Sequence, residues 1–287
     1  FGVSERTAVA RDRGYENIFA VQNGQTVTQI DPFLYYSDGG GVGGRNGINE
    51  AHIYKRTNVR LTKLSLAYKF DLSGLSCKSA SLKFKKAKAT ITEPVTKFGG
   101  QPIWIEKPQW PISKSTGKPM KFIGQIAIDE PLYGTSKARI AYIFYAGDET
   151  ESWDMDSGDN AVILQPGTPE IITKTLTEGS PLLCSNQKPC EYLALLHPHE
   201  DSQFIPEYEQ RTWTDKESDK YQKSNFKTKL GGTPCFIQGD EFPKPGKWQL
   251  LLQLLGSDLP LEVDFQFGCA YVFISSDGTK AKFLWQY

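Results

Sequence analysis

The chain has 287 residues, with 33 basic side chains against 33 acidic ones and a formal net charge of zero. That balance argues against a dedicated nucleic-acid binder, which would show a strongly basic face. No apolar run approaches the roughly 20 residues of a membrane-spanning helix, and the length suits one large domain or two modest ones. The chain starts at Phe1 rather than Met and reads as processed or truncated. Its residues fix no compartment, and the cytoplasm is only the default reading.

Aromatic residues, Gly and Pro are plentiful and long helical periodicity is scarce, which is the composition of a β-rich protein with many turns. Residues 1–60 read as an extended, Gly-rich N-terminal arm. Within it, "IFAVQNGQTVTQI" suits a hairpin around Asn23–Gly24, because Asn-Gly favours a type I′ turn. "SDGGGVGGRNG", Ser37 to Gly47, lacks the Lys-Ser/Thr ending of a phosphate loop and reads as a connection or as close backbone packing. Residues 61–287 are expected to form a single body. Its first strand, "LTKLSLAYKFDL", puts Leu64, Leu66, Tyr68, Phe70 and Leu72 on one face. "ASLKFKKAKATIT", Ala80 to Thr92, changes apolar parity midway, and a β-bulge near Lys85–Lys86 would restore one apolar face. Its lysines read as a solvated strand face. "EYEQRTWTDKESDKYQKSN", Glu207 to Asn225, is the helix candidate. Strands follow from Trp248 and from Ala270, and "AKFLWQY" closes the chain as a last strand.

One pattern occurs twice. "FGGQPIWIEKPQWP", Phe98 to Pro111, is echoed by "LGGTPCFIQGDEFP", Leu230 to Pro243. Each is followed by an apolar strand containing a glutamine, Gln125 or Gln253. Each then reaches an Ala-Tyr-β-branched-Phe strand, at Ala141 and Ala270, with Asp148 or Asp277 four positions after the Phe. The shared order and near-equal spacing predict two similar β units, near 98–148 and 230–278. Packed face to face, or continued as one sheet, they would bury their apolar faces. The glycine pairs supply positive φ, and Pro102 and Pro234 then launch extended chain. A cis bond is left open at Trp110–Pro111 and Phe242–Pro243. The expected fold is therefore α+β and predominantly β, with antiparallel sheets, an internal pseudo-repeat and few helices.

Taken as an ordered set, these residues resemble the bacterial YwqG-like family, a domain of unknown function. The resemblance rests on "FGGQPIWIEKPQWP", "GKPM" at Gly117 to Met120, "FIGQI" at Phe122 to Ile126, "FYAGDETESWDMDSGDN", "KLGGTPCFIQGDEFP" and "WQLLLQL". It covers about Phe98 to Tyr287. The family's usual Gly-Asp-Ala-Gly is reduced here to "FGCAYVF", Phe267 to Phe273, which puts any role of the missing aspartate in doubt. The resemblance implies a β-rich α+β fold and no agreed reaction. Some relatives look like accessory or immunity-type proteins of bacterial toxin systems, which implies a protein-binding role.

The chemistry-bearing clusters are few. Trp153, Asp154, Asp156 and Asp159 in the acidic loop Gly147 to Asn160 form the candidate binding lip. Alternating carboxylates can also wrap calcium, but the EF-hand glycine and closing glutamate are out of place. "HPHED", His197 to Asp201, reads as a turn forced by Pro198 more readily than as a metal site. Among five cysteines, Cys184 and Cys190 read either as a short disulfide loop or as two free thiols. No catalytic residue, metal or cofactor is assigned. The leading expectation is a non-enzymatic protein-binding or accessory protein. The alternatives are a structural subunit that self-associates through its N-terminal arm, and a hydrolase of undetected type.

Overall fold

The structure is a computed structural model. It describes residues 72–287, apart from 148–149, 168–170, 211–212, 264 and 266, and the backbones of five strands nearer the N-terminus. The chain divides into two compact units. One takes in Phe1–Phe70, Ile205–Thr214 and Gln238–Phe242; the other takes in Asp71–Phe204, Asp215–Ile237 and Pro243–Tyr287.

The first unit holds β1 (Phe19–Gln22), β2 (Gln25–Val27), β3 (Tyr35–Tyr36), β4 (Glu50–Thr57) and β5 (Arg60–Ala67). They form one sheet in the order β2-β1-β5-β4-β3. Gln22 stands opposite Gln25, so the hairpin expected around Asn23–Gly24 is present. The strand expected to open the body at residue 61 belongs instead to this sheet. It pairs with β4 along its length, because a hairpin partner lies only two residues upstream. The Gly-rich segment 37–47 and the side-chain alternation of Leu61 to Leu72 lie outside the described residues.

The second unit is built on β6 (Lys78–Lys86), β7 (Lys97–Gly99), β8 (Trp110–Pro111), β9 (Lys121–Ala127), β10 (Ile140–Tyr145), β11 (Asn160–Gln165), β12 (Thr173–Lys174), β13 (Glu191–Glu200), β14 (Lys229–Gly231), β15 (Trp248–Leu255), β16 (Cys269–Ser275) and β17 (Ala281–Gln286). Ten of them make one antiparallel sheet, ordered β11-β10-β9-β7-β13-β6-β14-β15-β16-β17, while β8 and β12 form a separate ribbon. The sheet curls until its two edge strands, β11 and β17, run side by side. Its concave side encloses the main core, where Phe98, Ile123, Ala141, Ile143, Leu230, Leu251, Ala270 and Val272 are buried. Each fully buried Leu, Ile or Phe contributes roughly 1.5–3 kcal/mol relative to an exposed one.

That strand order has a near-twofold symmetry. β7-β9-β10-β11 on one side matches β14-β15-β16-β17 on the other, with β13 and β6 between them. The first strands are exchanged: β6 precedes the first set in sequence but pairs with β14, and β13 precedes the second set but pairs with β7. Gly99 faces Glu191, and Gly231 faces Ser79. With those positions equated, the β6–β13 ladder maps onto itself about the Lys83–Leu195 pair. Both halves carry the same irregularity. Ile123 on β9 and Leu251 on β15 are each skipped in the ladder to the next strand, which turns both fully into the core.

Three local expectations are corrected. No bulge interrupts β6 at Lys85–Lys86; its register with β13 is continuous, and the strand ends before Ala87 and Ala89 need a shared face. "HPHE" is not a turn but the end of β13. Pro198 is tolerated there because its missing N–H would point away from β6. Ala194, of the same parity, donates in that direction to Thr96 O, and β7 ends its pairing at Leu193. The helix expected over Glu207 to Asn225 is two helices, Glu207–Gln210 and Asp215–Asn225. Among the described residues the cis bonds are Gln165–Pro166 and Lys244–Pro245, not the two left open in the sequence. No helix of the described residues is long and apolar enough to cross a membrane.

Candidate functional site

The repeated opening has one structural meaning in both halves. Gly99 and Gly100 have φ of 74° and 63°, and Gly231 and Gly232 have 65° and 80°. A Cβ on Gly100 would collide with the Glu191 carboxylate, and a Cβ on Gly232 with that of Asp201. The glycine pair therefore does more than turn the chain: it leaves room for a carboxylate against the backbone. That carboxylate neutralises a lysine two residues before the pair. Lys97 Nζ donates to Glu191 Oε1 at 3.1 Å, and Lys229 Nζ donates to Asp201 Oδ2 and to Thr233 O. Both lysine side chains are wholly buried. Burial lowers both lysine pKa values, and the facing carboxylates oppose that shift.

Beyond the glycines, each chain segment crosses the outer face of its own half and is pinned by matching polar groups. Gln125 Oε1 accepts from Ile103 N–H at 2.8 Å, as Gln253 Oε1 does from Cys235 N–H at 2.8 Å. Tyr142 donates its hydroxyl to Ile103 O, and Tyr271 donates to Cys235 O, both at 2.7 Å. Gln165 Oε1 accepts from Ile105 N–H, and Gln286 Oε1 from Ile237 N–H. Thr96 and Thr228 hydroxyls accept from Ala127 and Leu255 N–H, both at 3.0 Å. Trp104 lies over Tyr142 with ring centroids 4.6 Å apart, and Phe236 over Tyr271 at 4.9 Å. Burial pushes the Tyr142 hydroxyl up to about 12 and raises that of Tyr271 well above its ordinary value, so both remain donors at neutral pH.

The acidic loop is a clasp at the seam between β11 and β17. Asp159 is buried, accepting from Ser113 Oγ at 2.7 Å and Ser115 N–H at 3.1 Å. Burial raises its pKa, but these hydrogen bonds outweigh that and hold the carboxyl below its ordinary range. Asp154 accepts from Asp156 N–H, closing the loop on itself. Asp156 is exposed and takes a hydrogen bond from Lys282 of β17. Trp153 O accepts from Trp285 N–H, and Trp285 Nε1 donates to Ser152 Oγ. Thus the four residues of the expected binding lip share one loop, but Asp159 is turned inward. Asp148, matched in sequence to Asp277, lies outside the described residues.

Near the middle of the sheet, His199 Nε2 lies 3.0 Å from Asp201 Oδ1, and that oxygen accepts from Ser79 Oγ at 2.9 Å. His197 is exposed. Among the described residues, no group of three or more His, Cys, Asp or Glu side chains could hold a metal ion. Lys97 and Lys229 escaped the sequence reading, although "TKFGG" and "TKLGG" stand at matched positions.

Around Lys83–Leu195 the sheet narrows to a waist of two strands. β14 reaches only Ser79–Ser81 on β6, and β7 reaches only Glu191–Leu193 on β13. One further bond continues each contact, from Leu82 N–H to Thr228 O and from Ala194 N–H to Thr96 O. Past these, β6 and β13 meet no further strand on their outer edges among the described residues. Leu195 and Leu196 are 43% and 39% exposed, and Lys83, Lys85 and Lys86 stand exposed beside them without an ion pair among the described residues.

Fold and polar scaffolding together define a class: a curled, ten-stranded antiparallel β protein of near-twofold symmetry with exchanged first strands. The chain belongs to the family described as Domain of unknown function (DUF1963), whose model matches residues 96–283. The match takes in both Lys-x-Gly-Gly openings and leaves out β6, which the sheet nonetheless requires. No curated protein matches the chain.

Proposed function

We propose that this protein is a non-enzymatic binding module, YwqG-like in kind, that serves as an accessory or immunity-type partner of another protein. The observation that supports this reading is the waist. Two strand edges that are open among the described residues, two exposed leucines and three exposed lysines meet there. An extended segment of a partner can continue either strand through main-chain hydrogen bonds, with its apolar side chains on Leu195 and Leu196. The exposed lysines favour a partner strand that carries carboxylates, and the same lysines with Pro198 disfavour edge-to-edge pairing with like chains. The acidic loop, tied to the seam by Asp159 and Asp156, serves the fold first. The matching hydrogen bonds of the two halves support descent from an internal duplication whose first strands were exchanged.

A photo-crosslinking side chain at position 195, in the cells that make the protein, is expected to give a discrete adduct. The same group at exposed Lys174 gives none, and Lys83→Glu with Lys85→Glu abolishes the adduct at 195. Equal labelling at both positions, or no adduct at 195, overturns the reading.

A further inference from the structure

A feature outside the repeat sits at the entrance to β13. Cys184 and Cys190 flank the exposed tip "SNQKP" and are both buried free thiols. Leu183 pairs with Pro189 across the tip, and Cys184 N–H donates to Lys188 O at 3.0 Å. Gln187, at φ 60°, makes the reversal. The pairing fixes Cys184 and Cys190 on one face of a two-stranded turn, one step apart along its diagonal. The Cys184 thiol donates to Asn186 Oδ1 at 2.8 Å and to Lys188 O at 3.1 Å, which holds it inside the turn beside Cys190. Gly99 packs against the Cys190 carbonyl so closely that a Cβ there would overlap it, and the next residue, Glu191, neutralises Lys97. The pair therefore stands at the anchor of the first half.

We propose that Cys184 and Cys190 form a reversible intramolecular disulfide on exposure to a peroxide, clasping the start of β13. The step balances. Cys184, as the thiolate, attacks one peroxide oxygen; the O–O bond breaks, and with one proton the departing oxygen leaves as water. The Cys190 sulfur then displaces the sulfenic oxygen as a second water, and two thiols have given up two electrons and two protons. The order of attack follows from the environment. The neighbouring Cys190 thiol lowers the Cys184 pKa against its burial, with Asn186, Lys86 and Lys188 adding to the effect, while burial pushes Cys190 up to about 11. Cys269, raised to about 12 by burial, is an internal control.

The test treats the whole protein with limiting hydrogen peroxide, blocks remaining thiols with an alkylating agent, and maps the peptides by mass. The expected product is one cross-link between Cys184 and Cys190, two hydrogens lighter and reversed by dithiothreitol, with Cys269 alkylated throughout. Cys190→Ser should stop at a sulfenic acid on Cys184 that dimedone traps. Alkylation of both thiols after peroxide has already oxidised Cys77, or a cross-link between chains, overturns the proposal. Neither outcome bears on partner binding at the waist.

Discussion

The two halves solve one problem with different geometry. In each, a lysine is buried beneath a glycine pair and must be neutralised. In the first half the carboxylate is Glu191, at the start of β13; its other oxygen accepts from Ile91 N–H, and its side chain is 12% exposed. In the second half it is Asp201, just past the end of that same strand, wholly buried and holding Ser79, Thr233 and Lys229. One strand thus supplies both counter-charges from opposite ends. A twofold scaffold need not repeat its side chains, so long as each buried charge meets a partner.

The comparison breaks most visibly at those carboxylates. Asp201→Ala leaves Lys229 buried without its counter-charge and should cost about 3–5 kcal/mol. Glu191→Ala, which removes a partly exposed side chain, should cost clearly less; urea unfolding of the two variants measures the difference, and equal losses would contradict it. The tyrosines should instead behave alike. Tyr142→Phe and Tyr271→Phe each strand a carbonyl on the outer face and should each lose about 1–3 kcal/mol, read from thermal unfolding. The smallest effect belongs to the seam, where Asp156→Ala removes a solvent-exposed pair with Lys282. It should change stability by less than about 0.5 kcal/mol, and high salt should mask it.

Much of the repeat was legible because it is written in residues with strong local meaning. Gly-Gly-x-Pro, the strand glutamines and the Ala-Tyr-x-Phe strands stand at matched places, and each proves to pin the same crossing segment. Gln165 and Gln286 were harder to match. The first half inserts the acidic loop between β10 and β11, whereas a short turn joins β16 to β17. Strand exchange left no trace in the pattern, since alternation tells which face is buried and not which neighbour a strand takes. Pro198 misled for a related reason: it forbids a central strand, and only the tertiary arrangement reveals that β7 stops short of this stretch. The lip residues share one loop, but nothing in "DMDSGD" distinguishes the inward Asp159 from the outward Asp156.

Because β6 completes the half to which it does not belong in sequence, the polypeptide cannot mature one lobe at a time. β6 must wait for β14, well over a hundred residues later, before its ladder closes. Such distant pairing makes for slow acquisition of the native state. A truncated chain beginning at the family boundary would lack a rung in the middle of its own sheet. Conversely, a protease nick in the stretch joining the lobes should leave two fragments that stay entwined until denaturant parts them.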